Sequence, residues 1–180
     1  VYPESDLALI AELMATAFHM QYEMTDDFNY EPTPSQSLAA MAEAHGMDPA
    51  RYTYELMMRN EGSGFVYFPL LNYADGNLNF LEGPLNSDDC VNSLSDGGAH
   101  CGTIWDAAAT TFMLQHWVRD RSRGRIPLAQ AIKRQCLDTA TLYGLHDRGQ
   151  VATGYLADLN VIKLDDIKLN APWVAYDLPA

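Results

Sequence analysis

Val91-Asn92-Ser93-Leu94-Ser95-Asp96-Gly97-Gly98-Ala99-His100 is the stretch on which the reading of this chain turns. A short run bounded by Val91 and Leu94 breaks directly into a carboxylate and two glycines. In parallel α/β folds the functional groups gather in the loops that follow the C-terminal ends of strands. An Asp at such a place sits at a strand tip, and Gly97 and Gly98 permit positive φ and close approach of a ligand. A carboxylate there can bind a metal or serve as a general base, and His100 is near enough in sequence to reach the same cavity. Asp-Gly is also common turn chemistry, so spacing alone allows a plain turn.

Working outward, Phe65-Val66-Tyr67-Phe68 is a continuous apolar run of the kind buried on both faces of a parallel sheet. Pro69 closes it, and Asn72-Tyr73-Ala74-Asp75-Gly76 forms a second polar loop after a strand. A weakly marked helix is expected over residues 78–85. A long helix is expected over about residues 106–120, with Phe112, Met113, Leu114, Trp117 and Val118 as its apolar stripe. Pro127 opens another, with Leu128, Ile132, Cys136, Thr139 and Tyr143 facing inward and Gly144 as its stop.

Before Phe65 the chain reads as helical. Leu7, Ile10, Leu13, Met14 and Phe18 recur at helical spacing, and His19 to Met24 suit a short extended piece. Ser37 caps a helix ending at Gly46, and Asp48-Pro49 starts the next, running to about Arg59. After Gly144, the segments 149–151 and 154–162 alternate turn glycines with β-rich stretches and predict strands of a small separate sheet. Strand, loop and helix in repeating order predict an α/β fold. Two such units cannot close a barrel, so the chain is expected to be the C-terminal part of something larger.

Composition narrows the partners. The balance of 11 Lys and Arg against 24 Asp and Glu gives a formal charge of −13, which repels nucleic acid and anionic membrane surfaces. No apolar run reaches the length of a membrane span. Cys90, Cys101 and Cys136 show no CxxC spacing and read as reduced thiols of a cytoplasmic protein.

Leu94-Ser95-Asp96-Gly97-Gly98-Ala99-His100 resembles the eighth-strand segment of the metal-dependent amidohydrolases, in particular the N-acyl-D-amino-acid deacylase (D-aminoacylase) branch. YFPLLNYADGN from Tyr67, HWVRDR from His116, LYGLHDRG from Leu142 and GYLADLNV from Gly154 look like the same group, in the same order. The resemblance is firm from about Phe65 onward and weaker before it. It implies the C-terminal part of a (β/α)8 TIM-like barrel with the beginning of a flanking small β-sandwich domain. The expected division is residues 1–145 for the barrel part, with 1–60 as a helical insertion and 65–145 as the last βα units. Residues 146–180 then begin the small β-domain.

The resemblance also implies a zinc-dependent hydrolase that cleaves the acyl C–N bond of an N-acyl-D-amino acid or similar amide. Asp96 inherits the catalytic role, as a metal-site carboxylate that takes a proton from water and passes it to the leaving nitrogen. Ser95, Gly97, Gly98 and His100 would line the site, with Asn72 and Tyr73 at the preceding strand's tip. The pattern departs from the family at the metal. His19, His45, His100, His116 and His146 contain no His-x-His pair, whereas zinc takes three or four protein ligands. The expected partners are a small-molecule substrate, the absent N-terminal barrel portion and further copies of the chain. Another cyclic-amide or carbamoyl hydrolase of the same superfamily, or a non-catalytic scaffold, are the rival readings. His116 reads as a packing residue and Cys136 as a buried thiol. Arg119, Arg121 and Arg123 suit either a solvated helix end or a cation for a substrate carboxylate.

Overall fold

The computed structural model describes residues 6–69, 71–92 and 108–170. They fall into two compact units, one ending at Leu78 and one spanning Asn79–Leu169.

In the first unit, short polar side chains start the helices as their chemistry predicts. After α1, Asp6–Thr16, the Ser37 hydroxyl accepts from the Ala40 amide at 3.3 Å and opens α2, Leu38–Ala44. The Asp48 carboxylate accepts from the Arg51 amide at 3.0 Å and opens α3, Pro49–Met57, with Pro49 in the first turn. Each cap satisfies an amide that the helix leaves without a partner. Gly46, at φ +64°, closes α2 and lets the Met47 amide reach the Ala42 carbonyl at 2.9 Å. Leu38, Ala42, Tyr52 and Leu56 form the core between α2 and α3, with Phe18, Met41, Met47 and Val66 packed against it. Full burial of side chains such as Leu38 and Leu56 is worth roughly 1.5–3 kcal/mol each relative to exposure.

The sheet differs from expectation. β1, Tyr22–Met24, pairs antiparallel with β2, Phe65–Tyr67, so that Tyr22 faces Tyr67, Glu23 faces Val66 and Met24 faces Phe65. β2 is half-buried along its length, not covered on both faces in a parallel sheet. A short apolar run fits either environment, and the partner strand, distant in sequence, decides which. Phe28, Tyr30 and Tyr67 pack edge to face, with ring centroids 5.0 to 5.5 Å apart.

The second unit begins with two short helical pieces, Asn79–Leu81 and Glu82–Asn86, where the weakly marked helix was expected. The long helix runs from Ala109–Phe112 into wide π-helical turns over Met113–Asp120. Met113, Leu114 and Trp117 are buried, as the stripe predicts. Residues 106 and 107 lie outside the described residues. The next helix comprises Leu128–Lys133, π-helical turns over Arg134–Asp138, and Thr139–Leu142, with Gly144 at φ +69° just beyond.

Its inward face corrects the sequence reading. Leu128, Ile132, Cys136 and Tyr143 are exposed, while Ala131, Arg134 and Ala140 are buried. Periodicity marks the apolar stripe, but here a polar contact made by Arg134 sets which side turns in. The expected strands over 149–151 and 154–162 do not form, and the described residues beyond Gly144 hold one short 3-10 turn, Leu164–Asp166. A strand exists only against a partner, and the described residues supply none there. Nor do they form a barrel: their one sheet has two strands. Val91 and Asn92 are not in a strand, and residues 93 and 94 lie outside the described residues. No helix among the described residues is long and apolar enough to cross a membrane.

Candidate functional site

Asn72 and Tyr73 stand in the loop that follows β2. Asn72 is exposed and takes the left-handed conformation at φ +63°, one that Asn tolerates better than most residues. The turn it makes sends Tyr73 inward. Tyr73 is buried, its hydroxyl donates to the Pro32 carbonyl at 2.5 Å, and its ring meets Tyr22 edge to face at 6.2 Å. Burial first, then the neighbouring Tyr22, Glu31 and Tyr67, raises its pKa far above the ordinary tyrosine value. The phenol therefore stays protonated and keeps donating. What Tyr73 offers this loop is an anchor, with its hydroxyl committed within the core. The loop is pinned again at Leu78, whose amide donates to the Glu31 carboxylate at 2.9 Å.

Ser95, Asp96, Gly97, Gly98, His100 and the neighbouring Cys101 lie outside the described residues. The expectation of a pocket shared by Asp96 and the Asn72 loop falls on them as well.

The arginines expected at a helix end are built into the second unit. Arg119 binds both oxygens of Asp120, Nε to Oδ1 at 2.5 Å and Nη2 to Oδ2 at 2.9 Å. Its Nη1 donates to the carbonyls of Leu164, Asp165 and Ile167 at 2.7, 3.2 and 2.8 Å. The hydrogen bond from Arg119 holds the Asp120 carboxyl below the usual carboxylate range, and the same bond raises the Arg119 pKa. Arg121 is buried, lies 4.4 Å over the Trp117 ring and donates to Asn79 Oδ1 at 2.5 Å and to the Arg123 carbonyl at 3.0 Å. Arg121 is buried, and Arg119, at a partly exposed surface, spends the donors described on Asp120 and on the carbonyls of residues 164–167. Arg123 is exposed.

The described histidines are dispersed. His19 and His146 are exposed, the Nδ1 of His45 sits 2.7 Å from the Met41 carbonyl, and His116 stacks on Phe112 with centroids 4.8 Å apart. Among the described residues no group of three or more His, Cys, Asp or Glu is placed to hold a metal ion. These residues do not by themselves fit a zinc centre.

Sequence reasoning missed Gln130 and Arg134. Both reach the segment that runs into residues 91–96, Gln130 at Leu85 and Asn86, Arg134 at Ser87 and Cys90. Their spacing on one helix was the available signal, since residues four apart share a face.

No curated protein and no solved structure matches the chain. A family profile does: the one described as the amidohydrolase family matches residues 81–179.

Proposed function

We propose, on the premise that this chain belongs to the amidohydrolase family, that it supplies the catalytic carboxylate of a hydrolase acting on carbon–nitrogen bonds. The observation that carries the reading is the family match. It runs through more than half of the chain and takes in Ser95-Asp96-Gly97-Gly98-Ala99-His100. Membership also relates the chain to (β/α)8 barrels. The substrate we assign is an N-acyl-D-amino acid or a similar amide, on the resemblance of the motifs from Tyr67 to Val161.

In this reading Asp96 takes a proton from the attacking water as its oxygen bonds to the acyl carbon. It returns that proton to the nitrogen as the C–N bond breaks, leaving a carboxylic acid and a free amine. On the resemblance, Ser95, Gly97, Gly98 and His100 are assigned to the lining of the cavity. Zinc is the metal that the resemblance implies. Its ligands are assigned to protein beyond the described residues, where the rest of the barrel would stand. The exposed apolar side chains of Leu128, Ile132, Tyr143, Val151, Leu159 and Val161 support burial against further protein.

A non-catalytic scaffold is the second reading, favoured by the lack of a metal-ligand cluster among the described residues. Release of free amino acid from paired N-acetyl-D- and N-acetyl-L-amino acids, with zinc supplied to the chain joined to the protein portion that carries the metal ligands, separates the two. The hydrolase reading expects release from the D series that Asp96→Asn removes. Release from neither series, nor ring-opening of a cyclic amide, would favour the scaffold.

A further inference from the structure

We infer that Arg134, with Gln130, is a positioning residue for the chain segment that leads into the Asp96 loop. This rests on the proposed catalytic role of Asp96. Arg134 is only 3% exposed, yet it carries a full positive charge. Its Nη1 donates to the Cys90 carbonyl and its Nη2 to the Ser87 carbonyl, both at 2.5 Å. One turn earlier on the same helix, Gln130 Nε2 donates to the Leu85 carbonyl at 3.3 Å and to Asn86 Oδ1 at 3.1 Å. Two side chains on one helix face thus hold residues 85–90 at four acceptor atoms. None of those acceptors is an acidic side chain.

Among the described residues the carboxylate within ion-pair reach is that of Asp88, at 3.8 Å, and its side chain is almost wholly in water. The Arg134 Nε is buried and has no partner among the described residues. A buried guanidinium compensated this poorly is costly, and an apolar side chain of similar volume would bury more cheaply. What the guanidinium brings to this position is a rigid fork of donors, able to hold two carbonyls at once. Those carbonyls belong to the last described residues before the 91–96 stretch. Fixing them holds the chain up to Cys90, and a misplacement of about 1 Å in a reacting group can cost on the order of 10²-fold in rate.

The test uses Arg134→Met, Arg134→Lys and Gln130→Ala in the full-length enzyme, with three readouts. These are amide hydrogen exchange over residues 85–96, exchange over α2 and α3 as an internal control, and kcat and KM for an N-acyl-D-amino acid. Arg134→Met should speed exchange over 85–96 by about tenfold or more while α2 and α3 keep their protection. It should lower kcat by about tenfold or more with KM changed by less than about threefold. Arg134→Lys keeps the charge without the fork and should recover only part of both losses. Gln130→Ala should show the same pattern more weakly, and it decides the matter if Arg134→Met does not fold. Unchanged exchange over 85–96 in a folded Arg134 variant overturns the proposal. So does faster exchange with kcat intact. If Asp96→Asn leaves kcat intact, the catalytic reading fails instead, while the exchange arm still judges the clamp.

Discussion

Arg119 grips the carboxylate of its own neighbour, Asp120, with Nε and Nη2 and turns its third nitrogen to the carbonyls of Leu164 and Ile167. Gln115, one helical turn earlier, accepts from the Leu169 amide at 2.7 Å. The helix face that carries Gln115 and Arg119 therefore anchors residues 164–169, as Gln130 and Arg134 anchor residues 85–90. In both cases a Gln and an Arg four residues apart make the contact, Gln115 and Arg119 within π-helical turns, Gln130 in the α-helical turns that precede Arg134.

Acid should loosen the Arg119 anchor. The Asp120 pKa is depressed in the folded chain, chiefly by the hydrogen bond from Arg119. Its contribution to stability is present above the unfolded carboxylate value of about 4 and is lost as pH falls through the lower folded value. Asp120 is partly exposed, so solvent screening keeps the effect modest. Thermal unfolding across the acid range should show a loss of stability below about pH 4 that is smaller in Asp120→Asn. Equal acid sensitivity in the two proteins would contradict it.

Gly64 should tolerate no side chain. A Cβ there would collide with the backbone carbonyl oxygen of Leu56 and stand 2.9 Å from the Met57 Cα, and backbone atoms cannot swing aside. Gly64→Ala should lower the unfolding free energy by roughly 1–3 kcal/mol, read from denaturant midpoints at unchanged m-value. A change within about 0.5 kcal/mol, the range of ordinary surface substitutions, would contradict the packing described for α3 against β2.

The chain prepared alone should associate. Val151 and Val161 are almost fully exposed, and the Leu128, Ile132 and Tyr143 face of the last helix also meets solvent. Apolar surface of this kind draws partners, and net acidity slows association without covering it. Light scattering across a dilution series should report species above the monomer. A compact monomer at every concentration would contradict the expectation.

Local signals were legible in the sequence. Ser37, Gly46, Asp48-Pro49 and Gly144 mark helix ends because a cap depends on the residue and its nearest neighbours alone. Met113, Leu114 and Trp117 were placed correctly because their stripe is strong. The pairing of Tyr22 with Tyr67 was not legible, since a strand's partner is set by contacts distant in the chain. Nor was the inward face of the last helix, where the apolar stripe pointed one way and the carbonyls of Ser87 and Cys90 drew Arg134 the other. Of the candidate site, Asp96 and its glycines form a sequence motif inside the stretch that the family match covers, and they lie outside the described residues. The anchoring role of Tyr73 needed the Pro32 carbonyl, which no motif contains.

The central claim, that Asp96 moves the proton in amide hydrolysis, is tested most directly by the kinetics of Asp96→Asn in the full-length enzyme, since the chain without the metal-ligand portion is expected to be inactive. The carboxamide keeps the shape of the carboxylate but cannot accept the proton. With an N-acyl-D-amino acid as substrate, kcat should fall by about 10²–10⁴ while KM changes little. An unchanged kcat, or a rise in KM alone, would contradict the claim and make Asp96 a binding residue at most.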